Sequence, residues 1–197
     1  MKRVLFFFLI CVFLIQIAFS SGGYDHGSPV GKNQLQLDFT VNPFDIFPYG
    51  QTYIVWSYGL TDKLDFHGYV SRASDGKTDQ IYGGLMYCFF QSERLDLSTA
   101  LGYRQIGTNV DRVVPQFLYN YKFLNGYTIG GSSVAIQQNS SRHIGYTFDI
   151  ALYIPLDHFI DLPDATESIH FALGLFKPST SSKIYPTYSI DIKFNPF

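Results

Sequence analysis

Between Leu35 and Val41 the chain alternates without a break. Leu35, Leu37, Phe39 and Val41 take one parity, and Gln36, Asp38 and Thr40 the other. Successive side chains of a strand point to opposite faces, so the segment predicts a strand with one apolar and one polar face. The pattern returns along the chain. Leu64, Phe66, Gly68 and Val70 stand against Asp65, His67, Tyr69 and Ser71, and Leu95, Leu97, Leu101 and Tyr103 against Asp96, Ser98, Gly102 and Arg104. Phe117, Tyr119, Tyr121 and Phe123 oppose Gln116, Leu118, Asn120 and Lys122. Ile144, Tyr146, Phe148 and Ile150 oppose Gly145, Thr147, Asp149 and Ala151. Ile169, Phe171, Leu173 and Leu175 oppose His170, Ala172 and Gly174. Tyr188, Ile190, Ile192 and Phe194 close the series against Thr187, Ser189, Asp191 and Lys193.

Three further strands are less regular. Residues 53–58 split loosely, with Ile54, Trp56 and Tyr58 against Tyr53, Val55 and Ser57. Residues 81–91 are apolar on both parities, which leaves their orientation open. Residues 127–137 change parity from Tyr127 and Ile129 to Val134 and Ile136, and Gly130-Gly131 is the expected bulge. Asn125-Gly126 predicts a type I′ hairpin turn, which needs positive φ at both central residues. The count is ten strands, with eight as the alternative. Links after the second, fourth and sixth strands are short. Those after the first, third, fifth, seventh and ninth are longer and polar, residues 72–80 and 105–112 among them. The link at 155–167 falls where a short one is expected, so it is either an ordered flap or a sign of a miscount.

Composition narrows the setting. Charged residues are 15% of the chain against about 25% in an average soluble domain, and aromatics are 18%. Residues 1–20 read as a signal peptide: Lys2 and Arg3, an apolar run from Val4 to Ile15, and the small-x-small site Ala18-Phe19-Ser20. Residues 21–32, rich in glycine and polar side chains, read as a flexible lead-in, and residues 33–197 as the barrel. Removal of Lys2 and Arg3 from the 14 basic residues leaves 12 against 16 acidic ones, a net charge of −4 that recruits no nucleic acid. Cys88 is then the one cysteine, which excludes an intrachain disulfide and a cysteine metal cage.

A terminal strand of alternating aromatics and aliphatics, carried here by Tyr188, Ile190, Ile192 and Phe194, resembles the assembly signal of bacterial outer-membrane β-barrels. The whole pattern is similar to the broad class of small outer-membrane barrels, such as the OmpA and OmpW types. That resemblance implies an all-β, antiparallel up-and-down transmembrane barrel located in the outer membrane. It also implies contact with outer-membrane lipids and lipopolysaccharide, and handling by the barrel assembly machinery. Even strand number, short turns at one end and longer loops at the other fit that plan. The soluble alternative, a secreted sandwich or lipocalin-like barrel, turns the apolar face inward. Faces as bulky as Tyr119-Tyr121-Phe123 would overfill it, whereas they suit the girdles of a membrane barrel.

Candidate chemistry follows from parity. The lumen is expected to collect Asp38, Asp65, Asp96, Asp149 and Asp191 with Arg104, Lys122 and Lys193. Five acids against three bases suit a narrow cation path or a plugged, internally paired interior, and ten strands leave little room. The external loops carry Arg72, Lys77, Arg112, Arg142 and Lys183, able to hold lipopolysaccharide phosphates through charge-assisted hydrogen bonds. An acyl-transfer triad of Asp149, His170 and Ser189 is the one enzymatic constellation on offer, and its histidine sits at the wrong height for a lipid hydrolase. No catalytic residue, metal site or cofactor is assigned. The function expected is a structural or narrow-pore role. A non-conducting barrel for adhesion or lipopolysaccharide contact is the alternative.

Overall fold

In the computed structural model, residues 26–40, 51–73, 79–106, 109–137, 144–177, 182 and 184–194 are described. Ten strands among them follow one another in chain order: β1 (Leu35–Thr40), β2 (Gln51–Gly59), β3 (Leu64–Ala73), β4 (Asp79–Gln91), β5 (Leu95–Ile106), β6 (Asn109–Lys122), β7 (Thr128–Gln137), β8 (Ile144–Pro155), β9 (Thr166–Lys177) and β10 (Tyr185–Phe194). Each is antiparallel to its neighbours, and β1 pairs with both β2 and β10, so the sheet closes on itself. Closure leaves no edge strand with unpaired backbone groups. The eight-strand alternative is excluded. Ten strands about 4.8 Å apart and tilted about 40° enclose a barrel roughly 20 Å across between backbones.

Alternation decides which side chains fill that space. On β10, Tyr185, Thr187, Ser189 and Asp191 are buried, while Ile190 between them is 44% exposed. The apolar parity faces out on the other strands too: Phe39, Ile54, Phe66, Leu85, Leu101, Phe117, Phe148 and Leu175 are exposed. Tyr87 and Tyr121 mark this outer surface toward one end of the barrel, and Tyr103 and Tyr146 toward the other. An apolar exterior around a polar interior is the inverse of a water-soluble barrel. β4, which alternation left unoriented, turns Gln80, Tyr82, Met86 and Cys88 inward and Ile81, Leu85, Tyr87 and Phe89 outward.

The turn end carries the links after β2, β4, β6 and β8. Asn125 (φ 60°) and Gly126 (φ +79°) both adopt the left-handed region, as the type I′ hairpin requires. Residues 156–165, between β8 and β9, form a compact link in which the Phe159 and Ile160 N–H groups donate to the Leu156 carbonyl.

Two local expectations need correcting. The loop placed at 105–112 is largely strand, because β5 runs to Ile106 and β6 starts at Asn109. The irregularity placed at Gly130-Gly131 lies instead in β6, where the register against β7 jumps from Val113 to Gln116. Pro115 has no N–H to give to a ladder, and one extra residue at this bulge reverses parity. That break hid the first half of β6 from an alternation search. Gly131 answers to a different need: a Cβ there would lie 2.2 Å from the Asp149 carbonyl oxygen, so β7 and β8 approach too closely for a side chain.

Candidate functional site

The interior is the site. Asp38, Asp65, Asp96, Asp149 and Asp191 are all at most 4% exposed, and Arg104 is 9% exposed, each on the inward parity of its strand. Lys122 and Lys193 share that parity but carry their ammonium groups to the turn-end rim. There Lys122 Nζ lies 2.6 Å from Asp96 Oδ2, and Lys193 Nζ donates to Glu167 Oε1 at 2.8 Å. Asp149 accepts from the Ser132 backbone N–H (2.7 Å) and from the Ser132 hydroxyl (2.6 Å). A buried carboxylate is tolerated only with such donors.

An aromatic row crosses the upper interior. Tyr53 meets Tyr69 edge-on at 5.4 Å between ring centroids, Tyr69 stacks on Tyr82 at 5.3 Å, and Tyr82 meets His67 at 5.6 Å. Tyr82 is fully buried because Gly84 and Gly102 leave room for it: a Cβ on Gly84 would lie 2.6 Å from its hydroxyl oxygen, and one on Gly102 2.6 Å from its ring. Arg104 is the register partner of Tyr82 and, with Asp149, acts electrostatically on Tyr53.

The chain itself crosses the turn end. Residues 26–31, which precede β1, lie inside the barrel, and Lys32 is exposed at its rim. Lys32 forms a parallel bridge with Gly59 at the end of β2. Val30 is buried, and its N–H donates to Asp65 Oδ2 at 2.9 Å. The Ser28 hydroxyl donates to Asp96 Oδ2 (2.6 Å) and accepts from Asn120 Nδ2 (2.7 Å), and the Ser98 hydroxyl donates to the Gly27 carbonyl (2.6 Å). A Cβ on Gly27 would meet the Tyr119 backbone at 2.7 Å. His26 reaches the far wall, where it lies beside Gly130 of β7 and meets Tyr153 of β8 edge-on at 5.4 Å, while its ring nitrogen turns back to Gln36 of β1. β2 and β7 are five strands apart in a ring of ten, so this strap spans a diameter. Seven residues at about 3.3 Å each give roughly 23 Å, enough for the crossing. Composition placed a flexible lead-in here; a segment holding the wall through its backbone and small side chains has no periodicity to announce it.

Between the strap and the wall formed by β1 to β4 lies a small cavity of about 20 Å³, lined by His26, Gln36, Asp38, Ser57, His67 and Met86 among others. Ser57 Oγ and His67 Nδ1 are 3.0 Å apart. Among the described residues, no cluster of three or more His, Cys, Asp or Glu side chains is placed to hold a metal ion.

The residues of the acyl-transfer constellation are not brought together. His170 Nδ1 lies 3.8 Å from Asp191 Oδ2, and its register partner on β10 is Asp191. Asp149 stands opposite Phe176, six positions along β9 from His170, or about 20 Å. Ser189 stands opposite Ala172. Of the basic residues assigned to the external loops, Arg72 is exposed near the loop end of β3 and Arg112 belongs to β6. Lys77, Arg142 and Lys183 lie outside the described residues. Tyr188, Ile190, Ile192 and Phe194 occupy the outer face of β10.

Comparison with known proteins fits this geometry. No protein-family model and no curated protein matches the chain. Among solved structures, the KdgM porin aligns over 83% of this chain and 99% of its own, with a TM-score of 0.50 and 7% identity. The structure titled KdgM porin in complex with disordered oligogalacturonate gives the same coverage and identity with a TM-score of 0.51. A bacterial polysaccharide outer membrane secretin aligns with a TM-score of 0.41 and 12% identity. The likeness to the KdgM porin is one of fold: this chain has the architecture of an outer-membrane β-barrel.

Proposed function

We propose that the protein is an integral outer-membrane β-barrel with a narrow-pore role, passing small solutes or ions, and that it does no covalent chemistry. The observation that carries this reading is the inversion of the barrel: aliphatic and aromatic side chains outside, five aspartates inside. A wall of that polarity is stable in lipid and gives a charged solute a route that hydrocarbon denies it. The turn end, with links such as 60–63 and 92–94, is the periplasmic end on this reading, and the opposite end faces outward. Arg72, Lys77, Arg112, Arg142 and Lys183 then supply cations to lipopolysaccharide phosphates. The outer face of β10, with Tyr188, Ile190, Ile192 and Phe194, is the surface offered to the assembly machinery.

The interior also speaks to the charge of the solute. Oligogalacturonate, named with the KdgM porin, is an acidic chain. Here Asp38, Asp65, Asp96, Asp149 and Asp191 outnumber Arg104, Lys122 and Lys193, so a polyanion would meet repulsion along its path. Cations or neutral solutes fit better. The test is reconstitution into planar bilayers, with insertion verified separately. Small, cation-preferring current steps are expected. Silence from both the intact chain and a variant lacking residues 26–32 removes the pore reading and leaves a structural barrel for adhesion or lipopolysaccharide contact.

A further inference from the structure

The strap and the cavity above it are matched in position and in charge. The strap crosses the turn-end mouth along a diameter, from Gly59 on β2 to Gly130 on β7, and its contacts on the way come from β3, β5 and β6. Its hold is mostly polar. Val30 is its one buried large apolar side chain, and the rest is carried by the Ser28 hydroxyl, the Val30 N–H, the Gly27 carbonyl and the His26 imidazole against Gln36, Tyr153 and Asp191.

The wall partners do not depend on the strap alone. Asp96 Oδ2 is shared between Ser28 and Lys122, both at 2.6 Å, so it keeps a counter-charge when Ser28 leaves. The strap's outer end has the backbone of a hinge. Gly31 (φ +98°) and Asn33 (φ 63°) adopt left-handed conformations, and the Gly31 carbonyl sits where a Cβ on Gly59 would be. A segment of few apolar anchors, hinged at the rim, is built to come out, and water entering behind it takes over the bonds it gave to Asp65, Ser98 and Asn120.

What lies behind it is acidic. Both lysines of this half are matched, Lys122 by Asp96 and Lys193 by Glu167. Asp38 lines the space, and the buried Asp191 and Asp65 stand next to it, one bonded to Gln36 Nε2 (2.8 Å) and the other to the Val30 N–H (2.9 Å), so carboxylates set its sign. The imidazoles of His26, His67 and His170 face the same half from the strap, β3 and β9.

We propose that residues 26–32 are a removable stopper at the turn-end mouth, and that the chamber they close admits small cations in preference to anions. A water-soluble solute of ammonium size reaches the chamber from the turn end when the strap swings out about Gly31. This goes beyond a narrow pore: it assigns a gate and a charge preference, and neither needs current to cross the aromatic row above.

The experiment measures access to the chamber. Met86, which lines it, is replaced by cysteine (Met86→Cys) in a Cys88→Ser background, and the refolded full-length protein is treated in detergent at about pH 8, where ordinary imidazoles are neutral. The probes are a positively and a negatively charged methanethiosulfonate of similar size. Three forms are compared: the intact strap, Ser28→Ala, and deletion of residues 26–32. Folding of each is verified by its heat-modifiable electrophoretic mobility. Ser28→Ala, which removes two hydrogen bonds without new bulk, is expected to speed the cationic reagent about tenfold. Deletion is expected to speed it further, with the cationic probe faster than the anionic one in both variants. Equal rates in the intact, Ser28→Ala and deleted forms overturn the stopper. Equal rates for the two probes, each taken relative to its rate with a free thiol in solution, overturn the charge preference. Silent bilayers with strap-dependent labelling remove the pore and leave the stopper standing.

Discussion

Replacing Ile190 by lysine puts the inside-out reading to its sharpest test. Ile190 sits in the middle of β10, 44% exposed, with Phe39 of β1 and Phe171 of β9 as its register partners. On a protein bathed in water, a lysine at so open a site would change stability by about 0.5 kcal/mol or less. In a bilayer the same side chain enters hydrocarbon, which costs about 2–4 kcal/mol near the midplane of a barrel and less toward the interfaces. The difference is large enough to read directly. With a urea dependence of about 2 kcal/mol per molar, a loss of about 3 kcal/mol moves the unfolding midpoint in lipid vesicles down by about 1.5 M. Ser189→Lys is the control, because Ser189 is 3% exposed and opposes Thr40 and Ala172 inside the barrel. Its cost is steric, about 1–3 kcal/mol, and is present in detergent and bilayer alike. Single cysteines settle the direction: in a Cys88→Ser background, a lipid-phase quencher should reach a label on Ile190→Cys but not one on Ser189→Cys. An Ile190→Lys midpoint within about 0.25 M of the parent in vesicles (about 0.5 kcal/mol), or equal quenching at both sites, would refute the reasoning.

Other perturbations follow from the same geometry. Gly131→Val should destabilise by at least about 2 kcal/mol in denaturant titrations, because its Cβ falls on the Asp149 carbonyl and must part β7 from β8. Gly126→Ala, at φ +79° in the hairpin turn, should cost about 1 kcal/mol and slow refolding, with little effect on spectra of the folded state. Lys122→Met removes the counter-charge of fully buried Asp96 and should cost about 2–4 kcal/mol, most of it recovered when Asp96→Asn is added.

Much of this fold was legible because a strand's side-chain period is two, and a barrel with opposed faces writes that period into every spanning segment. Thr187 to Phe194 shows it best: the parity read from the chain is the parity of burial in β10. Signals failed where a second constraint was laid over alternation. Residues 81–91 hid their orientation because Tyr82, Met86 and Cys88 fill the interior with apolar atoms, so both faces of β4 look alike. The first half of β6 was lost because one extra residue near Pro115 reverses parity mid-strand. Gly130 and Gly131 suggested a bulge, but they serve close approach, one to His26 and one to β8. The strap was the largest omission. Its anchors, Asp65, Asp96, Ser98 and Asn120, were assigned to the interior by parity or by charge, yet nothing in SPVGK says that it lies among them. Backbone groups and a single serine make most of those contacts, and contacts of that kind leave no periodic trace.

The position of the strap at the start of the barrel sequence fixes when it can settle. Its partners Asp65, Asp96 and Asn120 belong to β3, β5 and β6, and its far end needs Gly130 and Tyr153 from β7 and β8. The ring itself closes only when β1 meets β10, which joins Leu35 to Phe194 across most of the chain. Pairings of such long separation form late, since their loop entropy must be met before they return any stability. His26 also touches Gln36 of β1 and Asp191 of β10, so the earliest residues of the barrel complete their contacts only once that seam has formed. A barrel with a strand missing or slipped has no complete berth for them, so the seated strap is a chemical certificate that the ring has been finished.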